Sequence, residues 1–319
     1  MRALLACLLL ATCFAAAQTP IPVILDTDIG DDIDDALALA LALQSPELNV
    51  RAVVTVLQHR ERRADLAWKI LRLYGREDIP VGMGAEQPLL TPPRTGEVRQ
   101  TSALSPEDRL PDEKRRNGLG LYLDTILRSP RKVTVLAYGP LTNVALALKA
   151  EPRLAERIER LVLMNGVFFR PQTEYNTVRD PEAAAIVFSS GLPVVTVGLD
   201  VTMQCRLAPE DLARMDASTL EPVRFLRRLI GIWQEGKPDR MPILHDPLAV
   251  AVAFQPDLVR LETGRVEVET RGQPGLTYGM TLFRRDPKGL VQVASEVQAR
   301  RFLDLFMSRI LSPPRRRAP

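Results

Sequence analysis

Six aspartates fall within ten residues near the start of the chain, in the run Asp26-Thr-Asp28-Ile-Gly30-Asp31-Asp32-Ile-Asp34-Asp35, directly after the apolar Val23-Ile24-Leu25. Two unit charges about 5 Å apart repel by roughly 3 kcal/mol at an effective dielectric near 20, and such a cluster holds several pairs. A bound positive partner relieves that repulsion, and an all-oxygen donor set suits a hard cation such as Ca²⁺ or Mg²⁺. A second chemistry-bearing triplet, His245-Asp246-Pro247, opens the apolar run 248–254.

Other readings of the acidic run fare less well. An EF-hand loop counted from Asp26 needs glycine at its sixth position and glutamate at its twelfth, where Asp31 and Leu37 stand. A phosphate-transferring aspartate of the haloacid-dehalogenase type also follows a strand with Asp-x-Asp. Here Ile29 follows Asp28, and the next helix begins with acids that repel phosphate. A merely solvated acidic loop leaves the repulsion uncompensated.

The elements that must position these groups alternate. Uniformly apolar runs at residues 23–25, 50–57, 133–137, 161–164 and 194–198 read as strands covered on both faces. Helical patterns at 34–43, 62–74, 119–128, 141–149 and 181–189 lie between them. The fold class is therefore α/β, a mostly parallel sheet with helices on both faces. Residues 265–270, 276–283 and 290–294 predict a small antiparallel element near the C-terminus, and 298–311 an amphipathic closing helix. Helix 34–43 is leucine and alanine on every face after its acidic start, which predicts burial. Residues 87–111 read as an excursion of the chain. In open α/β sheets ligands bind beyond the carboxyl ends of the strands. That directs attention to 26–35, Tyr138-Gly-Pro-Leu-Thr-Asn143, the stretch from Asn165 to Asn176, and Asp200-Val-Thr202.

Composition sets the outer bounds. The 319 residues are 46 % hydrophobic and 25 % charged with a net charge of +3, ordinary for a globular protein and too small a charge to argue for nucleic acid. Residues 1–17 read as a secretory signal peptide: Arg2 is followed by a nearly unbroken apolar run and by Ala15-Ala16-Ala17 before Gln18. The run is short for a membrane span, so the mature protein is expected to be secreted or periplasmic, with no membrane attachment after cleavage. A lipoprotein alternative at Cys13 is weakened by the preceding Thr12. Cys205 is then the one cysteine left, and stability must come from the core. Residues 18–312 are expected to form one domain, and 313–319, with Arg315-Arg316-Arg317, a disordered basic tail.

The run from Asp26 through Asp35 to Ala36-Leu37-Ala38-Leu39 resembles the amino-terminal signature of the inosine–uridine-preferring nucleoside hydrolase family. Gly139-Pro-Leu-Thr-Asn143, Leu163-Met164, Glu174-Tyr-Asn176, Asp180-Pro-Glu-Ala-Ala184, Gly198-Leu-Asp-Val-Thr202 and His245-Asp246-Pro247 are similar to further blocks of that family, in order. The resemblance runs from about residue 23 to 311. It implies a Ca²⁺ held by Asp28, Asp35, Asp246 and the backbone carbonyl of Tyr138, with the 2′- and 3′-hydroxyls of a ribose and a water completing the shell. It further implies that Asp34, Glu174 and Asn176 grip the sugar, that Asp28 is the general base and that His245 donates to the departing base. The activity so implied is Ca²⁺-dependent hydrolysis of the N-glycosidic bond of a nucleoside or related N-riboside. A non-catalytic Ca²⁺-dependent ribose or nucleoside binder is the alternative. Members of such a family are often homo-oligomers, and no interface is legible in one sequence.

Departures from the family pattern point to a divergent branch. Two residues are inserted in the acidic block and Ile29 replaces a proline, leaving Asp32 competing with Asp34; Asp34 keeps step with the following Ala36-Leu37. Leu57-Gln58-His59 stands where the family has Gly-Asn or Gly-Asp, and Met203 where a histidine often follows Asp-Val-Thr. The family's sugar-contacting asparagine in the loop after Met164 is absent, with Asn165, Arg170 and Gln172 as candidate replacements. Trp233 and the polar loop 234–242 read as a flap before His245, and Phe168, Phe169 and Tyr175 as further aromatics near the polar loops.

Overall fold

A computed structural model of the chain describes residues 19–90, 92 and 96–315. The expected signal peptide and residues 316–319 of the expected tail lie outside the described residues. In chain order the strands are β1 (Ile21–Thr27), β2 (Leu48–Thr55), β3 (Val81–Met83), β4 (Arg115–Asn117), β5 (Val133–Ala137), β6 (Ile158–Met164), β7 (Val194–Val197), β8 (Val259–Val268), β9 (Thr281–Arg285) and β10 (Val291–Val297). The helices are α1 (Asp34–Gln44), α2 (Arg60–Leu73), α3 (Gly118–Leu127), α4 (Thr142–Ala150), α5 (Leu154–Arg157), α6 (Tyr175–Arg179), α7 (Pro181–Phe188), α8 (Leu199–Thr202), α9 (Pro209–Asp216), α10 (Glu221–Trp233), α11 (His245–Phe254) and α12 (Ala299–Ile310).

Among the described residues the strands form one sheet in the order β4-β3-β2-β1-β5-β6-β7-β10-β8-β9. Pairing is parallel from β4 through to β10, and antiparallel at β10–β8 and β8–β9. The C-terminal antiparallel strands thus extend the main sheet. The strand expected over 276–283 is confined to β9, because Gly272, Pro274, Gly275 and Gly279 carry the preceding residues through turns. The central strands are largely apolar because each face of the sheet meets a separate core. Val23 and Leu25 of β1 join the core built with α1, α10, α11 and α12, while Ile24 between them joins the core built with α3, α4 and α7.

Every residue of α1 is buried, as its all-round Leu/Ala composition predicts, and its main helical partner is α11. The order of the strands reverses between β1 and β5, a switch point where two loops diverge and leave a crevice. The first residues of the expected tail are held: Gln44 Nε2 donates to the carbonyls of Ser312 and Pro313, and its Oε1 accepts from the Arg315 amide.

Candidate active site

The acidic loop emerges from β1 at this crevice and is braced from several sides. Asp26 is a support: it accepts from the Tyr122 hydroxyl at 2.5 Å and the Asn143 amide at 3.4 Å, and burial pushes its carboxyl up to about 7. Asn143, which reads in sequence as a helix cap, ties β1, β2 and the segment after β3 together, donating to Thr55 O and accepting from the Ala85 amide as well. Thr27 Oγ1 donates to Asp35 at 2.5 Å and accepts from the Ile29 amide. Gly30 sits at φ +121°, where a Cβ would also strike Val98. Gly139 lets the loop after β5 close against Asp28, whose Oδ1 would lie 3.0 Å from an added Cβ.

Arg63 of α2 is the clamp on this loop. It is 2 % exposed, and its guanidinium donates to the carbonyls of Asp28, Ile29 and Gln58 and pairs with Asp31 at 2.8 Å. Gln100, from the excursion after β3, donates to the carbonyls of Asp31 and Asp32. This part of the loop is therefore held by Arg63 and Gln100, which lie 32 and 69 positions from Asp31. Asp32 and Asp34 separate clearly. Asp32 caps the Ile33 amide at 2.7 Å and lies half exposed at the mouth, 3.9 Å from Arg240, whereas Asp34 is buried and accepts from the Asp246 amide at 3.1 Å.

Helices α1 and α11 both begin here, so two helix N-termini, each the positive end of a dipole, meet around Asp34, Asp35 and Asp246. These three buried carboxylates offer oxygens that all lie within 4.8 Å of one another. Burial raises all three well above the carboxylate range, and the mutual repulsion of the cluster adds to it. Burial likewise pushes Asp28 up to about 7 against the pull of Arg63. Asp28 faces the same cavity and its charge is felt by all three, although it stands outside the tightest group. A crowded, buried, oxygen-only set fits a hard divalent cation.

The cavity above the cluster measures about 330 Å³. Tyr138, Glu174, Asn176 and His245 line it with the acids. Asn176 Nδ2 donates to the carbonyls of Tyr138 and Met164, each at 3.2 Å, which turns its Oδ1 into the group available to a hydroxyl. Glu174 caps α6, accepting from the amides of Gly166, Asn176 and Thr177. Most of its acceptor capacity is thereby committed. His245 Nδ1 lies 2.7 Å from Thr202 Oγ1, and burial lowers the ring to about 4, so it is neutral at pH 7. Trp233, Tyr175, Leu199 and Arg240 complete the wall, with the Arg240 guanidinium 3.7 Å above the Trp233 ring.

Several residues near the polar loops lie away from the cavity. His59 is exposed and reaches Gly96 O at 3.0 Å; Leu57 and His59 take left-handed φ of 72° and 61°, in the stretch where the family carries a glycine. Asn165 is buried behind the cavity against Thr177, while Arg170 and Gln172 are on the surface. None of the three lines the cavity. Phe168 packs in the core and Phe169 stacks edge-on against Phe283. Cys205 is buried, its thiol pushed up to about 12 by burial, and is inert.

A family model described as inosine-uridine preferring nucleoside hydrolase matches residues 23–304. The chain is 35 % identical over 310 residues to the pyrimidine-specific ribonucleoside hydrolase RihA of Citrobacter koseri, covering 91 % of this chain and 98 % of that protein. It is 36 % identical over 296 residues to the non-specific ribonucleoside hydrolase RihC of Escherichia coli, covering 88 % and 95 %. Among solved structures, the plant nucleoside hydrolase PpNRh1 superposes with a TM-score of 0.79 at 29 % identity, covering 92 % of this chain and all of that one. The purine-preferring ribonucleoside hydrolase of Gardnerella vaginalis gives 0.79 at 29 % identity, covering 91 % and 98 %. With relatives matched over nearly their whole length and the family model spanning most of the sequence, the chain belongs to the inosine-uridine preferring nucleoside hydrolase family.

Proposed function

We propose that the chain hydrolyses the C1′–N bond of a ribonucleoside or related N-riboside with the help of Ca²⁺, releasing ribose and the free base. The coarser part, that it is a glycosidase of N-glycosyl bonds, follows from the family. The observation that carries the finer reading is the buried trio Asp34, Asp35 and Asp246 at the sheet's switch point, with neutral His245 in the same cavity.

Asp28, Asp35, Asp246 and the carbonyl of Tyr138 would hold the cation, with Asp34 beside them. When bound, Ca²⁺ neutralises the cluster, engages sugar hydroxyls and makes a nearby water more acidic. Asp28 takes the proton of the attacking water, a role suited to a buried carboxylate raised toward neutrality. The surrounding carboxylates stabilise the positive charge that develops on the ribose ring. Asn176 Oδ1 and Asp34 accept from sugar hydroxyls, and Glu174 holds α6 in place for them. At the leaving-group end, a Thr202 hydroxyl donating to His245 Nδ1 places the ring proton on Nε2. That N–H then donates a hydrogen bond to the departing base, and the proton the base keeps comes from water.

The test is to incubate the purified chain with inosine, uridine and nicotinamide riboside, with Ca²⁺ or with EDTA, and to measure free ribose. Calcium-dependent release supports the reading. Calcium-dependent binding without release would favour a binder, and release undiminished by EDTA would overturn the metal's role. We also place the mature protein outside the cytoplasm, on the strength of residues 1–17. Intact mass of protein recovered from secreting cells checks it, with an uncleaved cytoplasmic chain the contrary result.

A further inference from the structure

Among the described residues, the wall of the cavity carries six aspartates, one glutamate and a single arginine or lysine, Arg240. Most of those carboxylates have an evident use. Asp28, Asp35 and Asp246 are assigned to the ion, Asp34 accepts from the Asp246 amide, Glu174 caps α6, and Asp31 is paired with Arg63. Asp32 is left over. Half exposed at the mouth, it accepts from the Ile33 amide through Oδ1, while its Oδ2 faces the Arg240 guanidinium at 3.9 Å, too far for a hydrogen bond.

The same guanidinium lies 3.7 Å over the Trp233 ring. One planar cation is thus shared between an aromatic face and a free carboxylate oxygen, the two groups that best hold such a cation. All three side chains line the cavity, and Trp233 and Arg240 flank the loop that leads into His245, the group assigned to the departing base. The Arg240 backbone is fixed, because Gln234 Nε2 donates to its carbonyl at 2.6 Å. Its side chain is held far less: an ion pair this exposed is weak, so the guanidinium can turn out to solvent without moving the loop.

We propose that Asp32 and the Trp233 ring form a seat for a positively charged leaving group, with Arg240 as the chain's own occupant, so that the cavity selects N-ribosides whose base is a cationic aromatic ring, the ribosylpyridinium class. This rests on the N-riboside reading of the cavity. In the reaction, Asp28 takes a proton from water and the water oxygen bonds to C1′. The electron pair of the C1′–N bond goes to the ring nitrogen, which leaves uncharged, and the proton passes to solvent. The departing ring takes up no proton, so the seat acts on binding and its effect falls mainly on KM.

Nicotinamide riboside and uridine are offered separately to the calcium-loaded full chain, and kcat/KM is measured for wild type, Asp32→Asn and Arg240→Met. Asparagine keeps the bond from the Ile33 amide, and the arginine side chain holds no buried acceptor, so both variants should fold. In Asp32→Asn the ratio of nicotinamide riboside to uridine should fall by about fivefold, through KM, because the carboxylate is gone. In Arg240→Met it should rise by about as much, because the competing cation is gone. General damage to the site would not move the ratio in opposite directions. A ratio within about twofold of wild type in either variant, or one that moves the same way in both, overturns the seat. Failure to cleave either compound overturns the hydrolase reading instead, and the seat is then decided by titration calorimetry on wild type. Nicotinamide riboside should bind at least about threefold tighter than its uncharged dihydro form, and equal affinities overturn the seat.

Discussion

Replacing Arg63 with methionine should unfasten the acidic loop. The guanidinium serves three buried carbonyls, those of Asp28, Ile29 and Gln58, and the carboxylate of Asp31. A buried acceptor stripped of its donor costs about 1–3 kcal/mol. Three such carbonyls, less the relief of no longer burying a cation, give a net loss of about 3–5 kcal/mol. For a chain of this length, at about 2 °C per kcal/mol, the melting temperature falls by roughly 6–10 °C. Because Arg63 holds the backbone that presents Asp28, calcium affinity should fall by about 10- to 100-fold, as for other supports of ligating groups. Scanning calorimetry reads the first effect and titration calorimetry with CaCl₂ the second. Arg63→Lys should restore only part, since an ammonium cannot span four acceptors. A methionine variant melting within about 1 °C of wild type, with unchanged calcium affinity, would show that the loop is held by something else.

Other outcomes follow from the same geometry. Asp28→Asn should lower kcat by about 10²- to 10⁴-fold, the usual range for a general base, with a smaller effect on nucleoside binding; an active variant refutes its role. His245→Ala should lower kcat by a similar factor for nucleosides, and a much smaller loss with a substrate whose leaving group needs no proton would confirm the donor role. Without calcium, stability should fall as pH rises. Asp26 and Asp28 are raised from 3.8 to about 7, and burial also raises Asp34, Asp35 and Asp246 well above the usual range, so between about pH 4 and 7 the folded state holds more protons than the unfolded one. The stabilisation present below pH 4 is lost as pH climbs through that window. Calcium requires the ionised forms, so its stabilising shift should be larger at pH 8 than at pH 5. Melting curves in EDTA and in CaCl₂ check both, and an EDTA melting temperature that rises from pH 5 to 7.5 contradicts them.

The parts of the site legible in sequence were those that stand next to one another in the chain or just after an apolar run. Asp34, Asp35 and Asp246 were placed by the resemblance of their blocks to the family, and the all-round apolar α1 and α11 explain why those acidic starts are buried. β3 and β4, at three residues each, carry too little pattern to be seen. Helix α10 was legible: Val223, Leu226, Ile230 and Trp233 recur at helical spacing, and reading them would have put Trp233 at a helix end facing the cavity. The bracing residues were not. Arg63, Gln100 and Arg240 look like ordinary surface polar residues, and only the fold brings them to Asp28, Asp31 and Asp32. The antiparallel strands were recognised as such, but nothing local told that β10 would pair with β7 and join them to the main sheet.

In the proposed function, carboxylates from the first loop and a late helix converge on one divalent ion that also grasps a sugar. A crystal structure grown in calcium and soaked with ribose measures this directly. One ion bounded by Asp35, Asp246, Asp28 and the Tyr138 carbonyl is expected, with two ribose hydroxyls on it. A cavity without an ion under saturating calcium, or a sugar bound away from the ion, would refute this convergence.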